Sequence, residues 1–267
     1  MKKILLIMAM TAFVATGFAQ KKLVLYFSET GTTKTVAEEL QKQLGADIES
    51  IALEEPYSGN FQETIQRAQR EKQEGVLPKL KALKSKVADY DVIFLGYPIW
   101  SGIYASPIES LLKENDFAGK TIVPFCTFGS GGLNTSSDAL KKALPKATIK
   151  AGYGVRAARV TAAPKEIDRF LKENGYVAGK VKPLPAYSEQ KPVTAEERAI
   201  FDAACSSYQF PLGTPETCGK RTTDDSIDYE FKVKSRGFGG GAETTSTIFV
   251  TVGKEAGAKP EFTQVVR

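Results

Sequence analysis

Short apolar runs alternate with amphipathic segments along residues 22–180. Runs that are apolar throughout predict parallel strands buried on both faces, and apolar residues spaced three or four apart predict helices that cover the strands. Strands and helices in alternation form βαβ units, so this region predicts an α/β fold with a doubly wound, five-stranded parallel sheet. The predicted strands are 22–27, 47–52, 91–96, 121–126 and 147–155, and the predicted helices are 33–44, 61–74, 104–114, 134–143 and 164–174.

The pattern changes near residue 181. Prolines 183, 185 and 192 mark a linker over 181–193. Thr194-Ala-Glu-Glu197 has the spacing of a capping box and predicts a helix that continues to Cys205. Alternating runs at 214–222, 227–236, 244–253 and 260–266 then predict an antiparallel meander. We therefore expect two domains, 20–180 and a small α+β domain at 194–267, whose element order alone is similar to that of cystatin-like modules.

The turn after the first predicted strand concentrates hydroxyl groups at the start of a helix. It has the sequence Ser28-Glu-Thr-Gly-Thr-Thr33. The first N–H groups of a helix lack partners and its dipole favours negative charge, so added hydroxyl donors indicate a phosphate site. An ordinary N-cap needs only one of these hydroxyls. The spacing is neither that of a P-loop nor that of a Gly-rich dinucleotide turn.

Two further loops follow strands whose carboxyl ends are predicted to lie at the same edge of the sheet. The first contains Pro98-Ile-Trp-Ser-Gly102, and the second is Thr127-Phe-Gly-Ser-Gly-Gly132. Trp100, the only tryptophan, offers a flat platform for a heterocycle, although it could instead anchor the loop in the core. The glycines would let the backbone approach such a ring closely, or could simply form a flexible turn.

Together the three loops resemble those of the flavodoxin family, in which [ST]-x-T-G-x-T follows the first strand. The resemblance covers about 22–180, is closest to the shorter-chain members, and implies strand order 2-1-3-4-5 with FMN as cofactor. It implies that the first loop holds the phosphate while the other two clasp the ring. The net charge of +5 departs from the acidic character of electron-carrying flavodoxins. The implied FMN-binding residues are Ser28, Glu29, Thr30, Gly31, Thr32, Thr33, Pro98, Ile99, Trp100, Ser101, Gly102, Thr127, Phe128, Gly129, Ser130, Gly131 and Gly132.

Composition excludes several kinds of chemistry. The chain contains no histidine, which rules out Ser-His-Asp and Cys-His catalysis and imidazole metal ligands. Its three cysteines show no CxxC spacing, so no metal centre is expected and redox chemistry would need an organic cofactor. No catalytic side chain is predicted, and the modest positive charge does not indicate nucleic-acid binding.

The first residues predict export. Lys2 and Lys3 precede an apolar run over 4–14, and Gly17-Phe-Ala19 offers small residues for cleavage. This is the pattern of a signal peptide over 1–19, too short for the roughly 20 apolar residues of a membrane anchor. We expect a periplasmic protein that begins at Gln20 and has no stable membrane anchor. In that oxidising compartment a disulfide between Cys205 and Cys218 is predicted, with two unpaired thiols as the alternative.

Three functions are compatible with these features. The favoured one is an exported, FMN-binding, flavodoxin-like protein that takes part in electron transfer with a redox partner that the sequence does not identify. The second is an FMN-dependent NAD(P)H:quinone or nitro reductase. In the third, the sheet domain is a scaffold and the C-terminal module binds a partner protein.

Overall fold

The computed structural model describes residues 20–236 and 242–267, so the predicted signal peptide lies outside the described residues. Within these ranges the chain forms a parallel α/β domain followed by a smaller antiparallel sheet with one helix. No helix in the same ranges is long and apolar enough to cross a membrane.

The strands of the first domain are buried on both faces because helices cover both sides of the sheet. Leu23 and Leu25 of the first strand face one core, and Val24 faces the other. The third and fourth helices pack on the first of these cores, and the first and fifth on the second. The elements are β1 (Lys22–Tyr26), α1 (Thr32–Leu44), β2 (Asp47–Ser50), α2 (Phe61–Glu74), β3 (Val92–Trp100), β4 (Ile103–Tyr104), α3 (Ser106–Glu114), β5 (Thr121–Phe128), α4 (Leu133–Ala143), β6 (Thr148–Ile149), β7 (Tyr153–Arg156) and α5 (Ala163–Glu173), with 3₁₀ turns at Val87–Asp89 and Ala157–Ala162.

The sheet has the predicted order, with its last strand in two pieces. β1 lies between β2 and β3, β3 pairs with β5, and β5 pairs with both β6 and β7, all in parallel. The prediction of one continuous strand over 147–155 was therefore wrong, because the strand is divided into β6 and β7. The break faces Pro124 in the middle of β5, which has no N–H to donate to a neighbouring strand.

The third strand also runs further than predicted. It continues from the expected end at Gly96 to Trp100, and then turns back as the short antiparallel strand β4. Because residues 103–104 belong to that strand, α3 begins at Ser106 rather than at 104. The segment expected to be a loop is thus the end of a hairpin.

The C-terminal module packs one helix against an antiparallel sheet. The predicted capping box is present: the Thr194 hydroxyl accepts from the N–H of Glu197, and the Glu197 carboxylate accepts from the N–H of Thr194. Phe201 of the helix meets Phe231 of the sheet edge to face, with ring centroids 5.1 Å apart. The elements are β8 (Lys191–Pro192), α6 (Ala195–Cys205), β9 (Thr214–Thr222), β10 (Ser226–Arg236), β11 (Glu243–Gly253) and β12 (Glu261–Val266), in the order β12-β11-β10-β9-β8.

Part of the predicted linker belongs to this sheet. Lys191 and Pro192 form β8, which pairs with β9, and the Val193 N–H donates to the Glu216 carbonyl. Proline is tolerated here because β8 is an edge strand. The expectation that 181–193 carries no strand is therefore corrected for its last residues.

The predicted disulfide between Cys205 and Cys218 is absent, and both thiols are free. Cys218 lies near Glu197 at the start of α6, whereas Cys205 ends that helix near Arg156. Cys205 comes eight residues after Glu197, which is about 12 Å along the axis at the rise of an α-helix. The two cysteines therefore lie toward opposite ends of α6 and are not bonded to each other.

Candidate functional site

The turn between β1 and α1 leaves donors free at the helix start. Gly31 occupies the N-cap position with φ 85°, a left-handed conformation that glycine adopts without steric cost, and it provides no side-chain cap. The Ser28 hydroxyl accepts from the N–H of Lys34 at 3.2 Å. The hydroxyls of Thr30 and Thr32 lie 3.3 Å apart outside the core. This cluster of N–H and hydroxyl donors can bind an anion.

Thr33 has a different role from its neighbours. Its side chain is buried, and its hydroxyl lies 2.7 Å from that of Thr127, which is also buried. The pair joins the turn after β1 to the end of β5. Three of the four predicted hydroxyls therefore remain at the turn, while the fourth ties two loops together.

Glu29 lies at the same turn and is half-buried. Burial raises the pKa of its carboxyl, against the opposing effects of a hydrogen bond from the Gly59 backbone and of the Arg67 charge. A carboxylate beside a phosphate would repel it, and the Gly59 N–H and the Arg67 charge, which both favour the ionised form, offset part of this negative charge.

The second predicted loop is a tight hairpin turn. Pro98, Ile99 and Trp100 are the last residues of β3, and Ser101 and Gly102 connect them to β4. Both turn residues have positive φ, 49° and 83°, as a two-residue hairpin turn of type I′ requires. Ser101 is the only residue other than glycine with positive φ in the described part of the chain. Strain of this kind is often found where a loop is shaped for binding.

Trp100 belongs to an aromatic cluster beside the phosphate turn. Its ring meets Phe27 and Tyr57 edge to face, at centroid distances of 5.8 and 5.2 Å. Phe27 immediately precedes Ser28, so the cluster adjoins the hydroxyl-rich turn. The Trp100 side chain is half-buried, so it anchors the hairpin in this cluster while part of the side chain stays accessible. Tyr57 could not be predicted from the sequence, because it lies in an irregular segment with no motif.

The third loop faces the hairpin. Thr127 and Phe128 end β5 and are buried, so the loop itself consists of Gly129, Ser130, Gly131 and Gly132. Gly132 has φ 125°, and a Cβ there would come within 2.7 Å of Ile99 Cγ2. Only glycine allows this contact between the loop and β3. Between the hairpin and the loop lies a cavity of about 290 Å³, lined by Ile99, Ser101, Gly102 and residues 129–135 and 264–267.

The donor set fits a flavin mononucleotide. Three neighbouring parallel strands, β1, β3 and β5, present their following loops at one edge of the sheet, where such sheets bind ligands. The turn at 28–33 offers neutral N–H and hydroxyl donors to a phosphate. The cavity between the hairpin and the glycine loop offers a flat ring a narrow space in which the glycine backbone is exposed to it.

A family model described as flavodoxin matches residues 21–171. The match spans more than half of the chain and contains all three loops, and the chain belongs to the flavodoxin family. FMN is accordingly the cofactor of this domain. The match ends before the C-terminal module, whose likeness to cystatin-like modules stays a prediction.

Solved structures resemble the first domain of this chain. A candidate flavoprotein from Bacteroides uniformis is 27% identical, with a TM-score of 0.50, over 56% of this chain and 99% of that chain. A candidate flavoprotein from Bacteroides eggerthii is 33% identical, with a TM-score of 0.48, and the match covers 56% of this chain and 98% of that chain. A Lactobacillus acidophilus flavoprotein crystallised with FMN is 21% identical, with a TM-score of 0.48, over 57% and 98%. A search of curated proteins found no match.

Proposed function

We propose that this protein is an exported, FMN-binding electron-transfer protein. The observation that carries the proposal is the convergence of the hydroxyl-rich turn, the strained hairpin and the glycine loop at one sheet edge of a flavodoxin-family domain. Bound FMN supplies the redox chemistry. The chain's own contribution is to bind and orient it.

Each loop has a separate task in this proposal. The first-turn N–H groups of α1 and the hydroxyls of Thr30 and Thr32 bind the phosphate. The hairpin at 98–102 and the loop at 129–132 hold the two sides of the ring and exclude water from it. Two loop carbonyls already accept hydrogen bonds, Gly129 from Arg156 and Ser130 from Val265, and contacts of this kind reduce the free-energy cost of ordering the loop when the cofactor enters.

Transfer of electrons to a partner is distinguished from turnover by a kinetic assay. The FMN-loaded protein is photoreduced and mixed with a one-electron haem acceptor, and it is separately incubated with NAD(P)H and a quinone or nitro compound. We expect reoxidation by the haem acceptor and no steady consumption of NAD(P)H. Steady NAD(P)H turnover would instead establish the reductase, and an FMN-binding protein inert in both assays would favour the scaffold with a partner-binding module.

Export rests on the basic residues and apolar run at the start of the chain. Expression of the full sequence in a Gram-negative host followed by mass spectrometry of the periplasmic fraction tests it. We expect a protein that begins at Gln20. An uncleaved chain confined to the cytoplasm would contradict this part of the proposal.

A further inference from the structure

The C-terminal strand lies against the glycine loop of the first domain. β12 is an edge strand, and its free edge would leave backbone groups unpaired. Instead the Val265 N–H donates to the Ser130 carbonyl at 2.6 Å. A strand more than 130 residues away in sequence is thus hydrogen-bonded to the loop that borders the cavity.

Arg156 holds the strand and the loop together. Its side chain lies at the end of β7, and the residue is only 8% exposed. Nε donates to the Gly129 carbonyl at 2.7 Å, and Nη1 donates to the Phe262 carbonyl at 2.9 Å. The guanidinium carbon also lies 4.1 Å from the centroid of the Phe262 ring. A charged donor with two backbone acceptors and an aromatic neighbour fixes both segments strongly.

Gly131 lets the strand approach this closely. A Cβ at this position would overlap the Val265 carbonyl oxygen, which belongs to backbone that cannot rotate away. Gly129, two residues earlier in the same loop, would place its Cβ in open space. The close packing of the strand therefore depends on glycine at position 131 and not on glycine at position 129.

The same strand borders the cavity between the hairpin and the loop. The cavity lining includes Gln264, Val265, Val266 and Arg267 together with Ser101 and Gly102. Gln264 and Arg267 bring an amide and a permanent positive charge to a space where the other lining residues are mostly apolar or small. These are suitable donors for the carbonyl oxygens and ring nitrogens of a flat heterocycle.

We propose that the C-terminal strand is the third wall of the FMN ring site, that Arg156 positions this wall, and that Gln264 and Arg267 contact the ring. The inference rests on the proposed function. It makes the C-terminal module part of the cofactor site. The module shields one edge of the ring and slows the loss of FMN.

The first arm of the test needs no cofactor. Hydrogen–deuterium exchange is measured on the full apo chain for wild type, Gly131→Ala, Arg156→Met and the matched control Gly129→Ala. We expect the Val265 amide to exchange at least about tenfold faster in the first two variants, because its N–H loses the Ser130 carbonyl as acceptor when the strand leaves the loop, whereas β12 stays paired with β11. The control should match wild type, and protection of β10 and β11 shows that every variant is folded.

The second arm measures the FMN dissociation constant by flavin fluorescence, together with quenching of the bound flavin by iodide. Gly131→Ala and Arg156→Met should bind about tenfold more weakly, a loss of roughly 1.4 kcal/mol, and be quenched more readily. Arg156→Lys should recover part of the affinity, because one of the two hydrogen bonds can still form. Lys165→Met is the control, since Lys165 is exposed, pairs with Asp225 across the two domains and does not line the cavity.

The outcomes separate the two proposals. Faster strand exchange with unchanged FMN affinity and quenching would overturn the wall and leave the proposed function standing. Unchanged exchange in Gly131→Ala would overturn the docking of the strand itself. A wild-type chain that binds no FMN would overturn the proposed function and the wall with it. An equal loss of affinity in Lys165→Met would also contradict the wall, because the effect would then be general.

Discussion

Adjacent threonines at the start of α1 have different surroundings and therefore different tasks. Thr32 lies at the surface of the turn with its hydroxyl near Thr30, where a phosphate can reach it. Thr33 is buried, and its hydroxyl pairs with Thr127. The first residue is available for binding, whereas the second fixes the distance between two of the proposed FMN-binding loops.

Thr33→Val should destabilise the domain by about 1–3 kcal/mol, because it leaves the buried Thr127 hydroxyl without its partner. Urea unfolding of the apo protein measures this change. The control is Thr32→Val, which should alter stability by less than about 0.5 kcal/mol, as surface substitutions do, while it weakens FMN binding. Equal destabilisation by both substitutions would contradict the assigned roles.

The cysteines should behave as three unreactive thiols. Burial raises the pKa of Cys205 and of Cys218 to about 12, and it also raises the pKa of the fully buried Cys126. All three are therefore protonated at neutral pH and poor nucleophiles. Titration with a thiol reagent should show little reaction in the native protein and three thiols after unfolding. A single thiol after unfolding would instead restore the predicted disulfide.

At the scale of single elements, the hairpin after β3 depends on two residues in the left-handed region. Gly102→Ala should destabilise the fold by about 1 kcal/mol, because a Cβ is disfavoured at φ 83°. Ser101→Gly should be neutral or stabilising, since it relieves the same strain at the preceding position. Thermal unfolding of both variants measures the difference. Equal effects of the two substitutions would contradict the turn geometry.

The antiparallel sheet contains a carboxylate that makes its stability depend on pH. Burial tends to raise the pKa of Asp228, but hydrogen bonds from Thr251 and Ser226 and the ion pair with Arg221 outweigh it, and the pKa is lowered. Because the pKa of Asp228 is lower in the folded state, its ionised form stabilises the fold at pH values above the unfolded-state pKa of about 3.9. This stabilisation is lost as the pH falls through the folded-state pKa.

Asp228→Asn should therefore cost about 1–3 kcal/mol at pH 7 and progressively less below about pH 4. Urea unfolding of both proteins as a function of pH measures the difference. Glu216→Gln is the control, because its ion pair with Lys234 is exposed and should contribute little. A difference between wild type and Asp228→Asn that does not change with pH would contradict this explanation.

Periodicity was sufficient to predict most elements, because each of these strands and helices buries a regular face. It failed where the boundary of an element is set by residues that are close in space but carry no periodic pattern. Pro124 divides the last strand of the parallel sheet through a missing donor on the adjacent strand. Ser101 and Gly102 turn the extended β3 back into a hairpin, although the strand was predicted to end at Gly96 and to be followed by a loop.

At the scale of the whole molecule, the two domains share backbone hydrogen bonds as well as surface ion pairs. Arg156 and Val265 connect them at the cavity, and Arg159 forms ion pairs with Glu166 in the first domain and Glu261 in the second. The three loops could be predicted because each carries a local motif. That residues 264–267 line the cavity could not be predicted, because no local pattern indicates which surface an edge strand will meet.

The central claim is that the turn at 28–33, the hairpin at 98–102 and the glycine loop at 129–132 bind FMN. Its most direct test is an absorption titration of the purified apo protein with FMN, performed in parallel on Thr30→Val/Thr32→Val. We predict a yellow complex with one FMN per chain and shifted flavin bands, and much weaker binding by the double variant. A wild-type spectrum that remains that of free FMN would contradict the account.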